Sequence, residues 1–442
     1  MYVFKKGDKK VANAWAMYDW ANSVYHLVIT STLFPIYYDA VTNKNNSDMV
    51  TFWGLRMPAL ALYNYALSFA FLVIAVLAPL LSGIADYTGN KKRFMRFFCY
   101  TGAVSCSLLY FFDSSNLWLG ITLVVTACIS YAGSIVFYNA YLPEIVEPAD
   151  QNRLSAKGFS LGYIGSSILL IINLIMVQKP QWFGFSGADA VGNATRWSFV
   201  TVGLWWFGFA QITFYYLPVN PFGEKGHQAK INVWKGYQEL VKVWHLLKET
   251  KRLRRFLIAF FVYNMGVRTI MLVANQFGSD ELHLGADTLI PVILIIQFVA
   301  VGGAYMFSYI AKKRGDVFML KIATFVWVGV CIGAYFTYTA TQFFVLAFFV
   351  GLVMGGIQAL SRSTYSKMLP ETQDHASFFS FYDVCENVGS VIGLFLYGWV
   401  FDLTHNMRNS IAFLLTLFVF GFLLLNRIPR AASPNLSEGE AR

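Results

Sequence analysis

The chain has 442 residues, of which 57% are hydrophobic, 18% aromatic and only 13% charged, with a mean hydropathy of +0.51. Soluble domains carry roughly 25% charged residues, so this composition excludes an ordinary globular protein and points to the bilayer. The net charge of +10 would suit a nucleic-acid binder, but its placement along the chain excludes that reading.

The apolar residues fall into stretches of about 20 or more, each able to cross a ~30 Å hydrocarbon layer. They predict an all-α membrane protein of twelve transmembrane helices, over 12–38, 59–84, 94–112, 117–140, 157–178, 196–218, 255–277, 288–310, 317–338, 341–364, 376–402 and 408–427. The basic start of the chain runs into a full-length first span without a small-residue cleavage site, so that span is expected to be retained. Within it Asp19, Asn22, Ser23, His26 and Thr30 recur at helical spacing and form one polar face. An ionisable group at the bilayer centre costs roughly 3 kcal/mol or more, so Asp19 needs a reason to be there.

After an outer loop over 39–58 and the second span, Asp86, Gly89 and Lys91 form a tight inner turn. Gly89 permits a backbone conformation closed to other residues, and Asp86 is placed to meet a helix N-terminus or a basic side chain. Glu144 and Arg153, at the next inner loop, join these as candidate gating residues. Ile84-Ala85-Asp86-Tyr87-Thr88-Gly89 returns as Ile310-Ala311-Lys312-Lys313-Arg314-Gly315, Leu142-Pro143-Glu144 as Leu369-Pro370-Glu371, and Gly165-Ser166 as Gly389-Ser390, each about half a chain later. The repeat predicts two pseudo-symmetric six-helix bundles, with a solute site where they meet. Lys312 stands in the place of Asp86, so only the first half is expected to keep an acidic latch.

The halves divide as 1–218 and 255–430, joined by 219–254 and followed by a polar tail, 431–442, expected to be disordered. In the connecting segment Trp234, Tyr237, Val241 and Trp244 recur at helical spacing beside Leu240 and Leu247, with Lys235, Lys242 and Lys248 opposite. That is a basic amphipathic helix suited to the inner headgroup region. It serves either as a tether between bundles or as a regulatory surface.

In the second half, Asn264, Arg268 and Asn275 share a face of the seventh span, and Gln358 and Arg362 lie one turn apart near the inner end of the tenth. Ser380, Asp383, Asn387 and Ser390 share a face of the eleventh, with Glu386 beside them. Such stripes make sense around a hydrated cavity. The candidate solute ligands are therefore Asp19, Asn22, His26, Asn264, Arg268, Gln358, Asp383 and Asn387. Asp19, Asp383 and Glu386 are candidate proton carriers, and Asp86, Gly89, Lys91, Glu144, Arg153 and Arg362 candidate gating residues. Plainer readings stand beside these: Arg268 pairs internally with Asp383 or Glu386, Asp19 makes structural hydrogen bonds, and His26 bonds a neighbouring helix.

With the N-terminus inside, all but six of the 34 basic residues fall in inner loops and termini, the exceptions being Lys44, Arg56, Lys179, Arg196, Arg408 and Arg268. By the positive-inside rule both termini are cytoplasmic. Five cysteines lie within spans with no CxxC pair, so no disulfide framework, metal site or cofactor is expected. The expected partners are a small solute, lipids and protons; no nucleic acid is expected, and the chain reads as a monomer. HExxH, GxSxG and GxxxxGK[ST] sequences are absent, which argues against a membrane-embedded enzyme or an ATP-driven pump. A non-transporting receptor or scaffold is the alternative.

The run Asp86, Gly89, Lys91 resembles the loop signature of the major facilitator superfamily, with Ser82 in place of its leading glycine. Ala14-Trp15-Ala16-Met17-Tyr18-Asp19-Trp20-Ala21-Asn22-Ser23 resembles the opening of its vacuole-effluxer-like branch, the unknown major facilitator family. Gly355-Gly356-Ile357-Gln358-Ala359-Leu360-Ser361-Arg362-Ser363 and Phe381-Tyr382-Asp383 are similar to that branch's tenth and eleventh spans. The resemblance implies a two-bundle transporter of the bacterial cytoplasmic membrane, whose first, fourth, seventh and tenth spans line the cavity and whose halves rock. Fungal relatives are linked to amino-acid export from the vacuole, which makes an amino acid or related metabolite the implied solute. Arg268 and Asn387 depart from the branch's pattern, where glutamine and lysine are common.

Overall fold

A computed structural model describes residues 5–43, 49–219 and 233–429. The predicted tail, 431–442, and the connecting stretch 220–232 lie outside these residues. In chain order the first half contains α1 (Lys9–Val24), a π-helical stretch (Tyr25–Leu33), α2 (Phe34–Thr42), α3 (Ala59–Thr88), α4 (Lys91–Leu108), α5 (Leu117–Ala140), the short α6 (Leu142–Ile145), α7 (Pro148–Gln178) and α8 (Ala190–Tyr216). Then come α9 (Val233–Glu249) and the second half: α10 (Lys251–Gln276), α11 (Ala286–Arg314), α12 (Asp316–Tyr335), α13 (Ala340–Met368), α14 (His375–Thr404) and α15 (Met407–Asn426).

Among the described residues ten helices are long and apolar enough to cross a membrane: α3, α4, α5, α7 and α10 to α15. The predicted first and sixth spans are helical, as α1 to α2 and as α8, but are not among the ten; Trp, Tyr, Thr and Asn dilute their hydropathy. Among the described residues the chain also departs from an all-α expectation at one place. Met49–Phe52 and Leu55–Pro58 pair as a two-stranded antiparallel hairpin in the first outer loop.

The observed helices outrun several apolar stretches: α3 continues to Thr88, α7 starts at Pro148 and α13 reaches Met368. These extensions are polar, which is why hydropathy misses them, and they meet at one end of the molecule. There Gly7 N–H donates to the Ile145 carbonyl and Arg255 to that of Arg427, so both described chain ends lie at this end of the molecule. We call this the basal end. Gly89 closes α3 at φ 67°, the left-handed conformation expected of it.

The first rod is α1 continued through the π-helical stretch into α2. Pro35 at the start of α2 has no N–H, and its ring would clash with the carbonyl a turn earlier; the widened π turn comes just before it. Within each half the rods pack side by side, α1 on α7 and α8, and α10 on α14 and α15. Across the halves α7 packs on α11 and α13, while α14 packs on α3 and α5.

Candidate functional site

Between the halves lies a hollow of about 780 Å3, its mouth included, lined from α1, α5, α7, α10, α11, α13 and α14. Asp19, His26, Arg268, Gln358 and Glu386 line it, together with Tyr131, Asn139, Tyr163, Gln297, Arg362 and Tyr382. An adjoining lobe adds Thr30, Asp383, Asn387 and Ser390. The structure thus brings Asp19, His26, Arg268, Gln358, Asp383 and Asn387 to one place. Two predicted ligands do not join them. Asn22 and Asn264 are buried in helix packing, absent from both linings, because helical spacing identifies a face without saying what that face meets.

The floor of the hollow is a cross-half ion pair. Arg362 on α13 donates from Nη2 and Nη1 to Asp19 Oδ2 at 3.2 and 3.3 Å, and the Tyr138 hydroxyl donates to the same oxygen at 2.8 Å. Arg362 Nε donates to Ser155 Oγ at 3.0 Å, and Nη2 to the Ser155 carbonyl at 3.0 Å. Its guanidinium lies 4.1 Å over the Phe159 ring and 4.8 Å over that of Trp15. A buried ion pair holds only when its remaining hydrogen-bonding positions are filled, and here α1, α5 and α7 fill them. Gly158 makes room for it: a Cβ there would come within 3.0 Å of both Arg362 Nη2 and the Tyr138 hydroxyl.

One level higher, Arg268 Nη2 donates to Glu386 Oε2 at 2.7 Å, bridging α10 and α14. Arg268 takes Glu386 rather than Asp383 as its partner. The two pairs differ in access: the Arg268 and Glu386 side chains are 27% and 17% exposed, against 3% and 6% for Arg362 and Asp19. The upper pair is reachable from the hollow; the lower one is sealed. Between them the Tyr163 hydroxyl donates to Gln358 Oε1 at 2.5 Å. Asp383 is buried, with Oδ2 lacking a hydrogen-bond partner.

Below the floor, the basal rim is a second polar layer. Asp86 accepts from the backbone N–H groups of Ala376 and Ser377 at 3.2 and 2.7 Å, so the first half caps the N-terminus of α14, where positive backbone charge gathers. Lys91 pairs with Glu144 and lies 3.8 Å from Asp86. His375 Nδ1 is 2.9 Å from Glu144 Oε1; no sequence signal marked this histidine. Arg153, expected here, is exposed; its neighbour Asn152 makes the contact instead, donating to Asp316 Oδ1 at 2.6 Å. Lys367 also pairs with Asp316, at 2.9 Å. The second half therefore does carry an acidic contact, from Asp316 just after the repeated turn, while Lys312 is exposed. Outside the spans, a 2.8 Å bond to Asp374 raises the Lys242 ammonium above the ordinary lysine range.

The sequence model of the family described as "Vacuole effluxer Atg22 like" matches residues 7–152 and 147–434. An uncharacterized MFS-type transporter, YxiO of Bacillus subtilis, is 31% identical over 430 residues, spanning 97% of each chain. Autophagy-related protein 22 of Saccharomyces cerevisiae is 27% identical, spanning 83% of this chain and 77% of that one. Among solved structures, the human organic anion transporter MFSD10 superposes with a TM-score of 0.70 at 10% identity, over 95% of this chain and all of that one. The Escherichia coli fucose:proton symporter FucP superposes with a TM-score of 0.64 at 13% identity, over 96% and 98%. With a hollow between two packed groups of helices, and a family match running almost end to end, the chain belongs to the vacuole effluxer Atg22-like family of major facilitator proteins.

Proposed function

We propose that this protein is a secondary transporter of a small polar solute, an amino acid or related metabolite, across the bacterial cytoplasmic membrane. Its twelve helices form two pseudo-symmetric bundles, 1–218 and 255–430, joined by 219–254, and they rock about the hollow. The basal end is cytoplasmic, in keeping with the placement of the basic residues. The carrying observation is the pair of ion pairs at two levels of one hollow: Arg268–Glu386, reachable, above Arg362–Asp19, sealed. A solute carboxylate can compete with Glu386 for Arg268, and a solute ammonium can take Glu386. Basal opening then requires the Arg362–Asp19 pair and the Asp86 cap to part. The reciprocal packing of α3 on α14 and α7 on α11 supports a two-fold relation between the halves.

Proton coupling would act through Asp19, Asp383 or Glu386. A proton on Asp19 or Glu386 weakens the ion pair that residue holds, and Asp383 has an oxygen free to be protonated. The direct test is counterflow of labelled amino acids in proteoliposomes of the purified, monomeric protein. Saturable accumulation that is lost in Arg268→Gln is expected. Flux no greater than in empty liposomes, from folded protein and across an amino-acid and metabolite panel, would refute the transporter reading. Flux indifferent both to a pH gradient and to Asp19→Asn would remove proton coupling alone.

A further inference from the structure

Helix α9 does not merely connect the halves; it lies across their basal junction. A Cβ on Gly83 would strike the Gly236 carbonyl, and one on Gly236 would come within 2.6 Å of the Ile84 side chain. The backbones of α9 and α3 therefore touch through two glycines, the kind of small-residue approach that packs helices closely. This contact is three residues before Asp86, at the gate. On the other side α9 reaches the second half: Lys242 pairs with Asp374 at 2.8 Å, and the Trp244 ring lies 5.7 Å from that of Phe381 on α14. Asp374 directly precedes the helix that Asp86 caps.

Among the described residues, much of the aromatic surface of α9 stays accessible, even where Trp244 meets Phe381. Val243 and Leu247 are buried, but Trp234, Tyr237 and Trp244 are 67%, 49% and 47% exposed. Exposed Trp and Tyr at the end of a membrane bundle belong at the headgroup level. Seven basic residues against two acidic ones lie between Val233 and Arg255, and a polybasic stretch beside a span is drawn to anionic lipid.

We infer that α9 is a strap on the basal gate, held in its gate-spanning position by anionic lipid headgroups. It bridges α3 and α14, the two helices that must separate for the basal side to open. The pose seen here occurs with the gate shut, so a lipid surface that favours this pose favours the shut state, by differential binding. The inference rests on the alternating-access reading above.

The test uses the full chain in nanodiscs, with spin labels at Asp150→Cys and Glu371→Cys, one exposed rim position in each half. The parent chain, whose five cysteines are free and buried or half-buried, supplies the background. Discs of phosphatidylcholine alone are compared with discs containing phosphatidylglycerol. The anionic discs are expected to raise the ratio of short to long distances by roughly fivefold, the worth of about one lysine near an anionic surface. Lys248→Glu with Lys251→Glu should abolish that lipid effect. Gly236→Leu, which wedges α9 off Ile84, and the milder Trp244→Ala should shift both lipid systems toward the long distance. Two distance populations that neither lipid nor the α9 variants move would overturn the strap while leaving rocking intact. A shift by Gly236→Leu without any lipid effect would overturn the lipid claim and give the exposed face to a soluble partner. A single distance under every condition would sink the strap and alternating access together.

Discussion

Arg362 Nη2 and Asp19 Oδ2 lie 343 residues apart in sequence and 3.2 Å apart in the fold. Their contact ties α13 of the second half to α1 of the first, and Ser155 of α7 holds the same guanidinium. Removing one partner of a buried pair costs about 3–5 kcal/mol, because the other charge is left uncompensated. Arg362→Ala should therefore lower the thermal unfolding temperature more than Arg362→Ala combined with Asp19→Asn does. A loss in the double variant equal to the sum of the Arg362→Ala and Asp19→Asn losses would mean that the pair is not coupled.

Gly158 should be intolerant of even one methyl group. Gly158→Ala would push into the Asp19–Arg362–Tyr138 cluster, an overpacking cost of about 1–3 kcal/mol. A thermal-shift measurement is expected to show a loss, whereas Gly208→Ala, where a Cβ meets nothing within 4 Å, serves as the neutral control.

The Asp86 cap has a local readout. Asp86→Ala removes a carboxylate from the start of α14, worth about 1 kcal/mol as a helix cap. Amide hydrogen exchange at Ala376 and Ser377 should quicken, with Asp86→Asn falling between the two. Unchanged exchange would show that the α14 terminus is held by other means. Asp316→Ala should likewise loosen the start of α7 through Asn152.

The upper pair separates stability from solute handling. Arg268→Gln or Glu386→Gln alone leaves a half-buried charge without its partner, so the double variant should be the more stable by about 1–2 kcal/mol. Solute flux should fall in all three by roughly tenfold or more, the worth of one hydrogen bond to a charged group. Restored flux in the double variant would make Arg268 a structural residue only.

The polar stripes of α1, α10 and α14 were legible in the sequence because residues three and four apart share a helix face. From them Asp19, His26, Arg268, Asp383 and Asn387 could be expected at a common hollow, where they are found. The same rule also counted Asn22 and Asn264, which pack elsewhere. Lone polar residues in apolar runs, such as Gln297 and Asn139, carried a signal that the stripe criterion passed over. The basal rim was less legible still. Asp86 and Glu144 stood out by the repeat, but His375, Asn152 and Asp316 acquire their roles only from the helix ends they face.

What the sequence determined by itself is where the chain is apolar enough to cross a bilayer and that its loop signature occurs twice. Transfer into hydrocarbon is close to a sum over neighbouring residues, so a linear reading recovers it. Only the tertiary structure decided which charge meets which: Arg362 with Asp19, Arg268 with Glu386 and Asp86 with the α14 terminus. The strength of such pairs depends on approach within about 4 Å in a low dielectric. That approach is set by how helices far apart in the chain pack against each other.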